Sequence, residues 1–130
     1  MNTNTKTIII VIILLVIIIL SGSLTLYYLN KSAEKLQSTV MEVSDSVSKK
    51  QWTSADEELR DFEDDWEKTK YFWAMLVDHF EIDNIDDAFN KSKKYVETQD
   101  ESSALAELES LRHYILHIPR KEGFTMENVL

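Results

Sequence analysis

WTSADEELRDFEDDWEKTKYFWAMLVDHF, residues 52–80, is the stretch whose reading decides the fold. Trp52, Leu59, Trp66, Trp73 and Phe80 recur at heptad spacing, and Ala55, Phe62, Thr69 and Leu76 fall between them. That is the apolar stripe of one amphipathic helix, and it uses all 3 tryptophans of the chain. From Trp52 to Trp66 the stripe is narrow and the reverse face is acidic, with Glu57, Glu58, Asp61, Glu63, Asp64, Asp65 and Glu67. From Tyr71 to Phe80 the helix is apolar nearly all round, which predicts a half surrounded by the rest of the domain. Trp73 then lies at the domain centre. The helix is predicted to start near Thr53, with Thr53 or Ser54 as cap, and to end near His79 or Phe80.

Working outward, the 130 residues hold only Gly22, Gly123 and Pro119 as strong breakers. Antiparallel sheets need frequent turns, and turns favour glycine and proline, so the region between is read as all-helical. On the N-terminal side, Leu29, Ala33, Leu36, Val40, Val43 and Val47 step by four and three and predict a helix to about Ser48, with a turn at Lys49–Gln51. On the C-terminal side, a third helix is predicted over 85–97, capped by Asp83 or Asn84. Its inner face is Ile85, Ala88, Phe89, Ser92, Tyr95 and Val96. A fourth helix, capped by Asp100, Ser102 or Ser103, carries Ala104, Leu108, Leu111, Ile115 and Ile118 until Pro119 stops it. The tail, Arg120 to Leu130, is expected to dock as one short turn. Ala55, Leu59, Phe62 and Trp66 align with Ala104, Leu108, Leu111 and Ile115 at a constant offset. The second helix also has the spacing of a tetratricopeptide helix, without that repeat's glycine and proline landmarks. Any two amphipathic helices can share such spacing.

Ile8 to Leu20 is an unbroken aliphatic run, and Leu24 to Leu29 continues it after Ser21-Gly22-Ser23. Thr7 to Leu29 would rise about 35 Å as a helix, enough to cross a bilayer core. Tyr27 and Tyr28 stand where an interfacial aromatic belt belongs. A signal peptide with Lys6 as its basic flank and cleavage near Ser21–Ser23 is the rival reading, but it would leave a mature chain opening on LTLYYL. The expected fold class is therefore all-α: a single N-terminal transmembrane helix followed by an antiparallel helical bundle of about four helices. The segments are a tail 1–6, a span 7–29, a bundle 30–118 and a tail 119–130. Lys6 and the terminal amine on one side nearly balance Lys31 and Lys35 on the other. The short N-terminal tail favours a signal anchor with the bundle on the extracytoplasmic side of the cell membrane.

All 23 acidic residues and all but one of the 14 basic residues follow residue 30, leaving that part close to −10. A field of that sign repels phosphate, so nucleic acid is not expected as a partner. With 0 cysteines there is no disulfide, no thiolate nucleophile and no Cys-bound zinc. Two glycines leave no P-loop and no dinucleotide fingerprint, so no cofactor is expected. His113 and His117, four apart and opposite the apolar seam, are spaced to bind zinc from one helix face, with His79, Glu81 or Asp83 as a third ligand. The ordinary alternative is one packed and one solvated histidine near a helix end. Asp78-His79 pairs an acid with a base, as general acid–base chemistry requires, but no nucleophile accompanies it and the acids sit where a helix needs a cap. The acidic face of the second helix can solvate or can dock a basic partner. No residue is assigned as catalytic or cofactor-binding, and His79, His113 and His117 stand as the metal candidates.

Several stretches resemble a family of small bacterial single-pass proteins, domain-of-unknown-function family 4363. They are Trp52–Ala55, Trp66 with Trp73, Asp78-His79-Phe80-Glu81-Ile82-Asp83-Asn84-Ile85, His117-Ile118-Pro119 and Glu127 before Asn128. The resemblance covers nearly the whole chain and is most specific from Asp78 to Ile85. It implies an envelope protein, often encoded beside a multi-pass membrane protein, and carries no activity or site residues. The expected function is non-enzymatic: an envelope protein that scaffolds or regulates a membrane protein partner, with the lipid bilayer as its other contact. The alternative is a metal-binding or metal-sensing helical module using His113 and His117. A heptad seam can also pair between two copies, so a homo-oligomer stays open.

Overall fold

A computed structural model describes residues 1–129, with side chains as far as Gly123. Four helices follow one another: α1 Thr3–Ser48, α2 Trp52–Trp73, α3 His79–Glu97 and α4 Glu101–Val129. They form an up-down-up-down bundle in which α1 packs on α2 and α4, and α3 packs on α4, while α2 and α3 are the loosest of the four neighbouring pairs. The first half of α1 stands outside the bundle. It is long and apolar enough to cross a membrane, and its side chains from Ile8 to Leu20 are all exposed. The same helix then enters the core without a break through Leu29, Ala33, Leu36, Val40, Val43 and Val47.

The heptad stripe packs as expected as far as Trp73. Ala55, Leu59, Phe62, Trp66 and Trp73 are buried, opposite Ile82, Ile85, Ala88, Phe89 and Val96 of α3 and the full seam of α4. Aromatic rings fill the wider gap between α2 and α3: Phe62 stacks on Phe89 at 5.2 Å, and Trp66 meets Trp73 edge-on at 5.7 Å. Both inner indoles are satisfied. Trp66 donates to Asp86 Oδ1 at 2.7 Å and Trp73 to Ser32 Oγ at 2.9 Å. Asp86 also takes Lys70 Nζ at 2.6 Å, so one α3 carboxylate fixes two α2 side chains.

The offset between the second and fourth helices extends well beyond four positions. Leu36 and Ile85, Val40 and Phe89, Val43 and Ser92, and Val47 and Val96 are buried at the same offset as Ala55 and Ala104. The turns repeat as well. Lys50 N–H bonds Val47 C=O and Gln51 N–H bonds Ser46 C=O, and Gln99 to Val96 and Asp100 to Tyr95 reproduce the pair. This is a Schellman closure, with Lys50 and Gln99 each in the left-handed region at φ 56°. The bundle is thus one helical hairpin built twice.

Three boundaries differ from expectation. α2 stops at Trp73, not near His79, and α3 begins at His79, not Ile85. The apolar half-helix from Tyr71 to Phe80 is not surrounded: Tyr71, Phe72, Met75, Leu76 and Phe80 are exposed. Apolar periodicity reports a surface that avoids water, and it cannot tell a protein neighbour from another apolar medium. Pro119 does not end α4, which runs on through it to Val129. A proline removes one backbone bond and crowds one carbonyl. Here the buried Pro119 is followed by Gly123, whose Cα side lies against Leu26 of α1, so packing on α1 holds the helix past it. The caps move with the boundaries: Gln51, not Thr53 or Ser54, precedes α2, and Asp78, not Asp83 or Asn84, precedes α3. Asp100 Oδ1 accepts from Ser103 N–H at 3.2 Å and caps α4 as expected.

Candidate functional site

The bundle has two ends. The far end carries the two Schellman turns and is polar, tied by Lys50 to Glu101 at 3.9 Å. The near end adjoins the apolar half of α1, and the unassigned side-chain features gather there.

The α2–α3 turn, residues 74–78, closes the near end. It is wound tightly, with Met75 N–H on Phe72 C=O and Leu76 N–H on Trp73 C=O. Asp78, extended at ψ 142°, starts α3 by offering its carbonyl to Glu81 and Ile82 N–H. Trp73 anchors the turn inward through Ser32, which leaves its neighbours Phe72, Met75 and Leu76 outward. With Leu24, Thr25 and Tyr28 of α1 they line an open groove of about 370 Å³, almost wholly apolar. Tyr28 meets Phe72 edge-on at 6.0 Å and Tyr71 meets Phe72 at 5.5 Å.

On the other side of the near end, α3 and α4 are joined by charge. Glu81 is buried in the first turn of α3 and accepts from Lys121 Nζ at 3.3 Å. Lys121 also reaches Asp78 at 3.5 Å, and His117 Nε2 lies 3.9 Å from Glu81. The hydrogen bond and charge of Glu81 raise the Lys121 pKa, so the ammonium is firmly held. This set fastens the helices. It sets an ammonium and an imidazole around one carboxylate, and among the described residues no serine or threonine hydroxyl is bonded to it.

His113 and His117 lie on one exposed face of α4 with stacked rings 6.3 Å apart, as their spacing predicts. His79 is exposed at the start of α3. Among the described residues no group of three or more His, Asp or Glu side chains is placed to hold a metal ion. The structure therefore brings two of the three candidates together, and of the expected third ligands Glu81 lies 3.9 Å from His117 but is bonded to Lys121. The acidic face of α2 borders a polar groove with Thr39 and Glu42 of α1 beside Asp61, Asp64, Asp65 and Lys68. Lys35 of α1 partly closes it by pairing with Asp65 at 3.3 Å.

Sequence reasoning missed two features here. The Glu81–Lys121 bond is hidden in the sequence because Lys121 follows Pro119, a stop signal for α4. The apolar groove is visible, since Tyr71 to Val77 is apolar all round, but the pattern reads as core.

The family model for a domain of unknown function (DUF4363) matches residues 23–129. The chain belongs to that family. The match begins after the aliphatic run and takes in the groove, the turn and the whole bundle, so the shared DUF4363 unit includes the near end. No curated protein and no solved structure matches the chain.

Proposed function

We propose that this DUF4363 chain is a non-enzymatic, single-span membrane protein of the cell envelope. Its bundle, on the extracytoplasmic side, positions or regulates a membrane protein partner. The observation that carries the reading is the continuity of α1, one helix of 46 residues that is exposed apolar surface in its first half and bundle core in its second. An anchor on a flexible linker only tethers. A span continuous with the core fixes the bundle's height and tilt, and transmits any shift of the span to it. Tight packing and charge pairs used as fasteners fit a scaffold.

The experiment is photocrosslinking in native membranes from positions along residues 8–20, followed by detergent extraction of the tagged chain. A specific membrane protein should be captured, and inserting Gly-Gly-Ser after Asn30 should abolish its regulation while leaving the crosslink. Capture of lipid alone at every position would overturn the proposal. Protease accessibility of the bundle in intact cells tests its side of the membrane.

A further inference from the structure

Among the described residues, Phe72, Met75 and Leu76 at the α2–α3 turn stand exposed, and their depth is dictated by α1. Phe72, Met75 and Leu76 line one groove with Leu24, Thr25 and Tyr28, so turn and helix are level there. A bilayer core of about 30 Å takes roughly 20 helical residues. Measured from Thr7, it ends near Leu26. Lifting residues 24–28 clear of the lipid would leave only Ile8 to Leu20 and the Ser-Gly-Ser step. The aliphatic run alone spans about 20 Å, too short for the core. A span that fits therefore brings the turn down with it.

The chemistry of the patch agrees with that depth. From Lys68 to Val77 there is no acidic residue, in a domain otherwise rich in them, and Asp78, which follows, is paired with Lys121 at 3.5 Å. Tyr28 and Tyr71 both meet Phe72 of the patch, and Tyr27 is exposed beside Tyr28 in sequence, where an aromatic belt is expected. Lys31, one turn further from the aliphatic run, covers the Tyr27 ring with its ammonium 5.8 Å from the centroid. Met75 is 66% and Phe80 72% exposed, a costly surface to leave in water.

We infer that the Tyr71–Phe80 segment is a second membrane contact, immersed in the bilayer interface beside the span, so that the bundle is seated on lipid at two points. The inference rests on residues 7–29 being a span. Two contacts restrict rotation of the bundle about α1 and hold its outer face in one orientation to the membrane.

The chain has 0 cysteines, so single labels are simple to place. Full-length Met75→Cys, Phe80→Cys, Leu15→Cys and Glu57→Cys are spin-labelled and reconstituted in phosphatidylcholine vesicles. Collisions with lipid-soluble oxygen and with an aqueous nickel chelate are compared, with circular dichroism confirming the fold of each. The oxygen-to-nickel ratio at Met75 and Phe80 should be several-fold above that at Glu57 and below that at Leu15. If Leu15 reads deep while Met75 and Phe80 both match Glu57, the turn is in water and the inference fails with the span intact. If Leu15 itself reads as aqueous, the span reading falls and takes this inference with it. Labels at Met75 and Phe80 shielded from both reagents would assign the patch to a second copy of the chain, and overturn the lipid contact.

Discussion

The two ends of the bundle solve the same problem differently. At the far end, two hairpins close through identical Schellman turns, with polar residues outside and a left-handed residue at each corner. At the near end, the chain reverses through a five-residue turn, 74–78, which turns Met75 and Leu76 outward before Asp78 starts α3. The far end is built for water and needs nothing from its surroundings. The near end buries Trp73 inward and turns Phe72, Met75 and Leu76 outward, a division that favours another apolar medium beside it. The lesson is that one helix can carry two apolar surfaces of different destination, and periodicity merges them.

The sharpest way to break this comparison is through the tryptophans at its two ends. Trp73 is fully buried and bonded to Ser32, whereas Trp52 is half-buried at the far end. Trp73→Ala should cost about 3–5 kcal/mol in a denaturant melt of the full chain, and Trp52→Ala less than half as much. Trp73→Phe, which keeps most of the volume and loses the Ser32 bond, should cost about 1 kcal/mol. Equal losses for the two alanine variants would mean that the core is not weighted towards the near end.

Asp86 tests the same half from α3. Asp86→Ala strands the Trp66 N–H and Lys70, and should cost about 1–3 kcal/mol. Asp86→Asn keeps an acceptor for Trp66 and loses only the partly exposed ion pair, so its cost should stay below about 1 kcal/mol. If both variants melt alike, Lys70 rather than the indole is what Asp86 serves.

Much of the architecture was legible. The dearth of glycine and proline between Gly22 and Pro119 indicates helices, and the four-and-three steps from Leu29 to Val47 place α1's continuation. Lys49–Gln51 marks the first turn. The seam of α4 needs no correction. What failed did so for physical reasons. Tyr71 to Val77 reads as a buried helix, because an apolar pattern reports avoidance of water and not the identity of the apolar neighbour. Pro119 signals a stop through its own lost bond, whereas continuation depends on Leu26, nearly a hundred residues away in sequence. The His113–His117 pair was legible, since i and i+4 share a face on any helix. The Glu81–Lys121 bond was not, because it joins two helices.

At the far end, Lys50 and Gln99 offer a matched pair of tests. Both hold φ at 56°, where a Cβ costs about 1–2 kcal/mol. Lys50→Gly and Gln99→Gly should each stabilise the chain by up to about 1 kcal/mol, the gain being trimmed by the greater freedom of glycine in the unfolded chain. Because the turns are the same, the two gains should match. A gain at one turn and a loss at the other would show that the hairpin repeat is only superficial.

The smallest expected effect lies just below the far-end turn. Glu58 Oε1 accepts from Ser46 Oγ at 3.0 Å, and its other oxygen is buried without a partner. Burial raises the Glu58 pKa above its ordinary 4.5; the Ser46 bond opposes this, and Glu42, Asp45 and Asp61 reinforce it. A carboxyl whose folded pKa is raised favours the folded state when protonated. Its contribution is complete below the unfolded value and is lost as pH rises through the folded one. At neutral pH the chain therefore carries a mildly unfavourable charge there. Glu58→Gln keeps the acceptor for Ser46 and removes that charge. It should raise stability by about 0.5 kcal/mol at pH 7, and the gain should shrink to nothing as the wild type is taken towards pH 4. Melts of both proteins across that range read the difference directly. A gain independent of pH would trace the effect to packing, and a loss at pH 7 would mean that the Glu58 charge serves the far end through a partner on its second oxygen.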